Sequence, residues 1–240
     1  MPMAGEGKRF KEAGYKTPKP LININGEHMF IKSAKCMPET DLWIFIVREE
    51  FLNIKLFKEQ IKKNFKNYEI ISVKKTTEGQ ASTCYLAKKY LKQNDQIFIS
   101  SCDNYFEFDY KDFIDKSNKH DLLVFTTNSK KINIENPNLF GWVKINENKK
   151  IEISCKKQIS PNPVNDRIIV GSFFFKNLFF FDKSIQSLFE KNKKINNEYY
   201  LDMAISEAIS LNLNVGEIII KNYVSWGSSK ELEESSKKKL

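Results

Sequence analysis

The chain has 240 residues, its formal net charge at pH 7 is +9, and 41% of its residues are hydrophobic and 29% charged. These values exclude a disordered chain and suit an α/β domain with a substantial core, and no Pro/Gly/Ser-rich linker interrupts residues 1–240, so we expect a single domain. No apolar run approaches the roughly 18 residues of a membrane span and no signal-peptide pattern opens the chain, which predicts a cytoplasmic protein with no membrane partner.

Apolar runs typical of strands alternate with segments of helical period, which predicts βα units around a largely parallel sheet. The expected strands cover residues 42–47, 68–73, 96–101, 122–127, 140–145, 151–155, 167–175 and 215–220. The expected helices cover residues 50–66, 79–91 and 199–211, with a polar helix from residue 231 that frays in the tail. The strands after residue 138 are short and separated by polar turns, which indicates a mixed or antiparallel extension. The expected fold class is therefore α/β, with a Rossmann-like mixed, mostly parallel sheet flanked by helices and a small antiparallel extension.

A Gly-rich segment begins at Ala4, although loops of this kind normally follow a strand, and only Met1, Pro2 and Met3 precede it. A strand at that position would lie in the middle of the sheet. We therefore expect that the rest of this strand lies upstream of Met1.

The densest chemical signal is the sequence AGEGKRF at residues 4–10, followed by TPKPL at residues 17–21. Two glycines let the backbone approach a phosphate chain and line an anion-binding nest with their N–H groups. Arg9 offers a fork of donors suited to phosphate oxygens, and Lys19 is a point charge restricted by a proline on each side. The segment matches neither a Walker loop nor a dinucleotide fingerprint, because Phe10 stands where the third glycine would be. The pattern predicts a nucleotide phosphate site.

The cysteines and histidines offer little material for a zinc site or for histidine-based catalysis. None of the four cysteines forms a CxxC pair or has a histidine at ligand spacing, which predicts reduced, mostly structural thiols. Both histidines stand alone in the sequence. The residues concerned are Cys36, Cys84, Cys102, Cys155, His28 and His120.

The positive charge has two interpretations, a nucleic-acid binder or an enzyme that handles polyanionic small molecules. Apart from the tail at residues 237–239, the lysines are spread along the chain, and no nucleic-acid-binding motif accompanies them. We expect a solvated basic surface with a basic cleft and no nucleic-acid partner.

These segments make the chain resemble the sugar-phosphate nucleotidyltransferase family, which includes sugar-1-phosphate and phosphocholine-type cytidylyltransferases. The resemblance starts with MAGEGKRF and GYKTPKPLININGE and extends through much of the chain. TTEGQASTCYLA is similar to the family's base-binding loop and helix, SSCDNYF to its metal-binding strand end, and NPNLFGWVKI to its substrate-side loop. VGSFFFK and WGSSKELEE resemble its later strands and its terminal segment.

The resemblance implies a Mg²⁺-dependent enzyme that joins a nucleotide from an NTP to a small phosphorylated metabolite and releases pyrophosphate. It implies that Arg9 holds the β- and γ-phosphates, that Lys19 neutralises the α-phosphate, and that Asp103 binds Mg²⁺. The residues that it implies for nucleotide binding are Ala4, Gly5, Glu6, Gly7, Lys8, Gly79, Gln80 and Ala81, with Gln80 against the nucleobase. Those that it implies for the metabolite are Asn104, Gly141, Lys156 and Glu198, with Lys156 on the phosphate.

The chemistry of these residue types agrees with such roles. Mg²⁺ prefers one or two carboxylates with phosphate oxygens and water, so Asp103 at the carboxyl end of a strand suits it. The attacking group is a phosphate oxygen that is already largely ionised at neutral pH, because its second pKa is about 6. Such an attack needs alignment and charge neutralisation but no general base, so the reaction does not require a catalytic histidine.

Two departures from the family pattern affect the expected substrates. Ser225 stands where the family commonly has a second acidic metal ligand, and Asp202, Glu198 or water are the candidates to replace it. The sequence CKK at residues 155–157 stands where the family has Glu-Lys-Pro, which favours an acceptor more anionic than a hexose 1-phosphate. The short chain and these changes favour CTP as the donor. The composition and the detailed match point to phosphoglutamine as the acceptor, in capsule phosphoramidate synthesis, and short members of the family suggest a homodimer.

Three alternatives stay open at this stage. The chain could be a sugar-1-phosphate nucleotidyltransferase that uses UTP, GTP or dTTP. A catalytically inactive nucleotide-binding regulator is supported by Ser225 and predicts NTP binding without pyrophosphate release. A basic nucleic-acid-binding protein predicts oligonucleotide binding that depends steeply on salt.

Overall fold

The computed structural model describes residues 1–147 and 150–236. In these ranges the strands are β1 Pro2–Met3, β2 Asn23–Ile24, β3 Glu27–His28, β4 Trp43–Arg48, β5 Tyr68–Val73, β6 Ile97–Ile99, β7 Asn104–Glu107, β8 Leu122–Asn128, β9 Gly141–Ile145, β10 Ile151–Cys155, β11 Arg167–Phe175, β12 Val215–Ile219 and β13 Lys221–Ser225. The α-helices there are α1 Lys8–Glu12, α2 Met29–Ala34, α3 Lys55–Asn64, α4 Gln80–Tyr85, α5 Tyr110–Lys119, α6 Lys131–Glu135, α7 Leu178–Glu190, α8 Leu201–Ser210 and α9 Ser229–Ser236.

Most of the expected elements are present, and three strands have the predicted bounds, namely β5, β10 and β11. The predicted helix over residues 79–91 is shorter, because α4 ends at Tyr85 and a 3₁₀ turn, Leu86–Tyr90, follows it. The polar helix expected from residue 231 is α9, which begins at Ser229, and the tail at residues 237–240, including the basic run, lies outside the described residues. The mixed α/β fold class is confirmed.

Residues 1–77, 100–107 and 222–236 form one compact unit. Its main sheet is parallel, in the order β1-β4-β5, and the short antiparallel pair β2–β3 lies outside it. Aromatic side chains fill the core of this unit; the ring centroids of Phe45 and Phe65, for example, are 4.7 Å apart. The terminal ammonium of Met1 donates to the carbonyl of Ile44 at 2.8 Å. The two residues of β1 therefore form the strand that precedes the Gly-rich loop, and the loop begins at the carboxyl end of this strand.

Residues 78–99 and 108–221 form a second compact unit. Its sheet has the order β10-β9-β11-β8-β12, with β6 also paired to β11. Among its described strands, β8 and β12 are the one parallel pair, while β11 is antiparallel to β6, β8 and β9, and β9 is antiparallel to β10. A register shift between Ile169 and Phe173, at Gly171 with φ +79°, lets one long strand pair with different partners along its length. The antiparallel part is therefore more extensive than the small extension expected from the sequence, and the single-domain organisation stays a prediction.

All four cysteines lie in the described residues and are free thiols. Burial raises the pKa of Cys84, and burial together with the nearby Asp103 charge raises the pKa of Cys102 to about 12. These two thiols therefore stay protonated, as expected of structural cysteines. Within the parts of the chain that the structure describes, no helix is both long enough and apolar enough to cross a bilayer.

Candidate active site

The Gly-rich loop, Ala4 to Gly7, connects β1 to α1. Gly7 has φ +64°, in the left-handed region, and its carbonyl accepts from the N–H groups of Phe10 and Lys11 at 3.0 and 3.2 Å. Gly7 therefore makes the turn into the helix. Gly5 is exposed, and a Cβ added there would meet no heavy atom within 4 Å. The backbone at Gly5 thus borders open space, where a ligand can reach its N–H group.

Side chains on this loop already have local partners. The Glu6 carboxylate accepts from the Thr76 hydroxyl at 3.2 Å and lies 3.4 Å from the Lys8 ammonium. The hydrogen bond from Lys8, followed by that from Thr76, lowers the pKa of Glu6. Lys8 is largely exposed. Contacts of these two side chains with a nucleotide stay predictions.

Lys19 and Asp103, which the sequence analysis assigns separately to the α-phosphate and to Mg²⁺, are in direct contact. The Lys19 ammonium lies 2.5 Å from Asp103 Oδ2 and 5.2 Å from the centroid of the Phe10 ring. Lys19 opens a short 3₁₀ turn with prolines on both sides, so its backbone is held in place. The other carboxylate oxygen of Asp103 accepts from Ser101 Oγ. The pair sits beside the Gly-rich loop, since Lys19 Cβ is 3.6 Å from the position of a Cβ at Gly7.

Asp103 is ionised over the neutral pH range. Burial would raise its pKa, but the charge of Lys19, the hydrogen bonds from Lys19 and Ser101, and the charge of Arg9 outweigh burial and lower the pKa. Arg9 itself is exposed, so its guanidinium is available to a ligand. The structure therefore brings Lys19 and Asp103 into contact, with Arg9 near enough for its charge to act on Asp103.

The residues at Asp103 fit a bound Mg²⁺ that completes its shell with other groups. The carboxylate follows the β6 strand segment, is ionised, and keeps lone pairs beyond those used by Lys19 and Ser101. In residues 1–147 and 150–236, no group of three or more His, Cys, Asp or Glu side chains is placed to hold a metal ion. Ser225, at the position of the missing acid, uses its hydroxyl to accept from the Gly227 N–H at 3.2 Å. The donor set suits a site in which phosphate oxygens and water supply the remaining ligands.

Asn104, predicted to contact the metabolite, begins β7 and is almost fully buried. Its N–H donates to Ser33 Oγ at 3.1 Å, and its carbonyl accepts from the same hydroxyl at 2.7 Å. These backbone contacts fix the chain just after Asp103. A metabolite contact of Asn104 stays a prediction.

The first unit also has an open cavity of about 540 Å³ that borders the Gly-rich loop through Glu6. Its lining combines basic and acidic side chains with two neutral polar ones: Glu6, Arg48, Glu49, Glu50, Asn53, Lys74, Lys75 and Thr76. Sequence reasoning missed these basic residues because no motif marks them. Arg48 and Lys74 each end a strand, β4 and β5, or follow it directly, and side chains at carboxyl strand ends are a general signal for a site in a parallel sheet.

In the second unit, the segment predicted to approach the nucleobase is hydrogen-bonded to the backbone of Tyr199. The Tyr199 N–H donates to the Glu78 carbonyl at 2.7 Å, and the Ala81 N–H donates to the Tyr199 carbonyl at 2.9 Å. These two hydrogen bonds form a short backbone ladder on either side of Gly79, which has φ +104°. A Cβ at Gly79 would be 2.6 Å from the Tyr199 carbonyl oxygen. The glycine is thus required by packing inside the protein. Ala81 is fully buried and Gln80 is half-buried, and their nucleotide contacts stay predictions.

Two of the predicted metabolite residues, Gly141 and Lys156, come together at the start of β9 and the end of β10. The register pairs Gly141 with Cys155, and the Lys156 N–H donates to the Phe140 carbonyl at 3.0 Å. The Lys156 ammonium donates to the Leu139 carbonyl at 2.7 Å and lies 5.1 Å from the centroid of the Tyr200 ring.

Glu198, the third predicted metabolite residue of this unit, joins the same region through Tyr200. Burial raises the pKa of the Tyr200 phenol, and so does its hydrogen bond to the Glu198 carboxylate. The Glu198 Cβ is also 3.0 Å from the position of a Cβ at Gly79. Asp202, which the sequence analysis considers only as a metal ligand, lies against Gly141. Tyr200 and Asp202 therefore lie beside the predicted metabolite residues.

The chain matches a family model by sequence and several solved structures by fold. Residues 3–215 match the family model described as nucleotidyl transferase. The chain is similar in structure to a nucleoside-diphosphate-sugar pyrophosphorylase from Vibrio cholerae RC9, with TM-score 0.80 and 21% sequence identity over 99% of this chain and 100% of that chain. It is also similar to the inositol-1-phosphate CTP transferase from T. maritima, with TM-score 0.71 and 17% identity over 100% of this chain and 95% of that chain. No match was found among curated proteins.

Proposed function

The chain belongs to the nucleotidyl transferase family, and we propose that it transfers a cytidylyl group from CTP to a small phosphorylated metabolite and releases pyrophosphate. The observation that carries the proposal is the contact between Lys19 and Asp103 beside the Gly-rich loop. A half-buried carboxylate and a constrained ammonium at a phosphate-type loop are the groups that a nucleotidyl transfer needs for charge neutralisation.

The reaction is an exchange of bonds at the α-phosphorus. An ionised oxygen of the acceptor phosphate forms the new O–P bond, and the bond from the α-phosphorus to the bridging oxygen breaks. Pyrophosphate leaves with that electron pair. Because the attacking phosphate oxygen already carries its charge at neutral pH, no side chain has to remove a proton. Asp103 would hold Mg²⁺, which supplies positive charge to the triphosphate when bound.

Lys19 has two partners in this proposal, one in the ligand-free protein and one in the complex. Without a ligand its ammonium neutralises Asp103. In the complex with nucleotide, Asp103 would hold the cation, and the Lys19 ammonium would be free to contact the α-phosphate oxygens. The exposed Arg9 guanidinium binds the outer phosphates with its fork of donors. The open backbone at Gly5 supplies N–H groups without a side chain in the way.

CTP and phosphoglutamine are the substrates that we favour, in a capsule phosphoramidate pathway. The support is the sequence CKK at residues 155–157, in place of the family's Glu-Lys-Pro, and the short chain. One similar structure, from T. maritima, is named for transfer from CTP, although at its level of identity it speaks for the fold alone. A cytoplasmic location and a homodimer complete the proposal.

The test is pyrophosphate release with each of CTP, UTP, GTP, ATP and dTTP, in the presence of Mg²⁺ and a panel of acceptors that includes L-glutamine phosphate and glucose 1-phosphate. We expect release with CTP and L-glutamine phosphate, and its loss in Asp103→Ala. Asp115→Ala is the matched control, because Asp115 is exposed on α5, outside the candidate site. Release by Asp103→Ala at the wild-type rate would contradict the proposal.

The hydroxyl at Ser225 favours a second candidate, an inactive nucleotide-binding regulator, since it leaves no acid at that position. The same panel separates the candidates. NTP binding without release for any acceptor would indicate the regulator, and release with UTP, GTP or dTTP and a sugar 1-phosphate would indicate a sugar-1-phosphate nucleotidyltransferase.

A further inference from the structure

A carboxylate that the proposed mechanism does not use lies in the second unit, at the start of α8. Asp202 Oδ2 would be 2.1 Å from a Cβ at position 141, so the carboxylate occupies the space that Gly141 leaves by having no side chain. Cys155, opposite Gly141 in the β9–β10 register, donates its thiol hydrogen bond to Asp202. We call Gly141, Cys155, Lys156, Tyr200 and Asp202 the Asp202 cluster.

The Asp202 cluster lacks a cation that neutralises its carboxylate by contact. The Lys156 ammonium donates to the Leu139 carbonyl at 2.7 Å and lies 5.1 Å from the centroid of the Tyr200 ring. In the described ranges, no Lys, Arg or His nitrogen comes within 4.0 Å of the Asp202 carboxylate.

A second carboxylate lies next to the cluster. Glu198 accepts a hydrogen bond from the Tyr200 phenol. Burial raises the pKa of Asp202 to about 6, and the charge of Lys156, its own N–H and the Cys155 thiol offset burial only in part. Asp202 is half-buried and has no cationic group in contact, so the ammonium of a ligand could neutralise its carboxylate.

We propose that Asp202 binds the ammonium group of the acceptor, so that the protein selects phosphorylated amines and amino acids over sugar phosphates that carry a hydroxyl at the same place. The inference rests on the proposed function, because it assigns the Asp202 cluster to the acceptor. A primary ammonium has three donors and a full charge, and it pairs with a carboxylate through charge-assisted hydrogen bonds. A hydroxyl brings one donor and no charge, so it leaves the carboxylate without a counter-ion.

Asp202 is then a residue that determines specificity and takes no part in the transfer itself. A purely structural role for Asp202 predicts the opposite effect of removing its charge on the stability of the protein. An aspartate that only favours the helix N-terminus is most useful when charged, and removing its charge destabilises the helix. A carboxylate kept for a ligand is costly in the empty protein, so its removal leaves the protein equally or more stable.

The experiment measures binding of acceptor analogues to the full chain by calorimetry, without any NTP. The probes are two matched pairs that differ only in an amine or a hydroxyl, phosphoethanolamine against 2-hydroxyethyl phosphate and glucosamine 1-phosphate against glucose 1-phosphate. At pH 8 we expect the wild type to bind the amine of at least one pair more tightly by about 10–100-fold, as for a hydrogen bond to a charged group. In Asp202→Asn the preference should fall to about twofold or less.

Asp202→Asn keeps an oxygen that accepts from the Cys155 thiol, and thermal unfolding at pH 8 verifies that it is folded. Asp115→Asn, the same chemical change on the exposed face of α5, should keep the wild-type preference. The comparison within the wild type does not depend on any variant. Equal binding of both members of each pair by the wild type, including no binding by either, would overturn the inference, and so would an unchanged preference in Asp202→Asn.

The two proposals fail separately in these measurements. A preference for the amines that depends on Asp202, with no pyrophosphate release for any substrate, would retain the cluster as an ammonium site and reject the transferase. Release with a sugar phosphate, together with equal binding of amines and hydroxyls, would retain the transferase and reject the role of Asp202.

Discussion

Replacing Gly79 by alanine should destabilise the protein far more than replacing Gly5 by alanine, although both glycines are expected to contact the nucleotide. At Gly79, φ is +104°, which residues with a side chain rarely adopt, and the new Cβ would be 2.6 and 2.7 Å from the carbonyl oxygen and the nitrogen of Tyr199. Both are backbone atoms of Tyr199 that are hydrogen-bonded to Glu78 and Ala81, on either side of Gly79. They cannot move aside as a flexible side chain would.

The magnitude follows from two separate contributions. Backbone strain of this kind is worth about 1–3 kcal/mol and overpacking about 1–3 kcal/mol, so Gly79→Ala should lower the free energy of unfolding by about 2–6 kcal/mol. For a chain of this size Tm falls about 2–4 °C per kcal/mol, so the middle of the range gives a drop of about 8–16 °C. At Gly5 a Cβ meets nothing and φ is outside the left-handed region, so Gly5→Ala should change stability by at most about 0.5 kcal/mol.

The assay is thermal unfolding followed by circular dichroism, with urea titration as a second measure of the free energy of unfolding. Both variants are compared with the wild type at the same pH and without ligands, because a bound nucleotide would shift Tm by mass action. If Gly79→Ala unfolds within about 1 kcal/mol of Gly5→Ala, the packing of Gly79 on Tyr199 is wrong and the close approach of a ligand is the better reason for that glycine.

Three further predictions concern charged groups and are tested by unfolding as a function of pH or urea. Lys19→Met should lower stability at pH 7 by about 1–3 kcal/mol, because the half-buried Asp103 carboxylate loses its counter-ion. The pKa of Asp103 is lowered in the folded protein, so its contribution is lost as the pH falls, and the difference should shrink below about pH 4. Arg167→Ala should cost about 3–5 kcal/mol in urea, because the Glu217 carboxylate, 6% exposed, loses both hydrogen bonds from Arg167, while replacing both residues by methionine should restore most of the loss. Asp202→Asn should raise stability at pH 8 by about 1 kcal/mol, a gain that vanishes below about pH 4 because the raised pKa makes the charged wild-type group costly only at higher pH.

The sequence predicts those elements whose signal is local. Strands β5, β10 and β11 have apolar patterns bounded by polar turns, and their limits follow from the pattern. Helix α5 was not predicted from the sequence, and only Phe113 and Ser117 of its ten residues are buried, since Tyr110 and Ile114 on the same face stay exposed. Its usable signal was Asp109, whose side chain caps the helix by accepting from two backbone N–H groups.

Strand pairing was less predictable than strand position. The partners of β11 are β6, β8 and β9, which lie far away in the sequence, and a bulge at Gly171 changes the register along one strand. No local pattern encodes such a choice, since the alternation of side chains only says which face of a strand is buried. The extent of the antiparallel sheet therefore had to come from the structure.

The candidate site likewise combines residues that local motifs identify with contacts between distant positions that they do not. The motifs identify Arg9, Lys19 and Asp103 by residue type and context, but the contact between the last two joins positions 84 residues apart. Position 79 requires glycine because the backbone of Tyr199 packs against it, and the sequence around Gly79 does not indicate that contact. The packing of Asp202 likewise depends on a distant position, because its carboxylate fills the space beside Gly141 of strand β9.

The backbone ladder between Tyr199 and the turn before α4 has a thermodynamic consequence for substrate binding. Gln80, proposed for the nucleobase, lies between the two residues that hydrogen-bond to Tyr199, and Glu198, proposed for the acceptor, directly precedes Tyr199. A ligand that orders one of these segments also orders the other, so entropy lost on the first binding step is not lost again on the second. The two substrates should therefore bind with positive cooperativity. Linkage requires that each raises the affinity for the other by the same factor, whichever binds first.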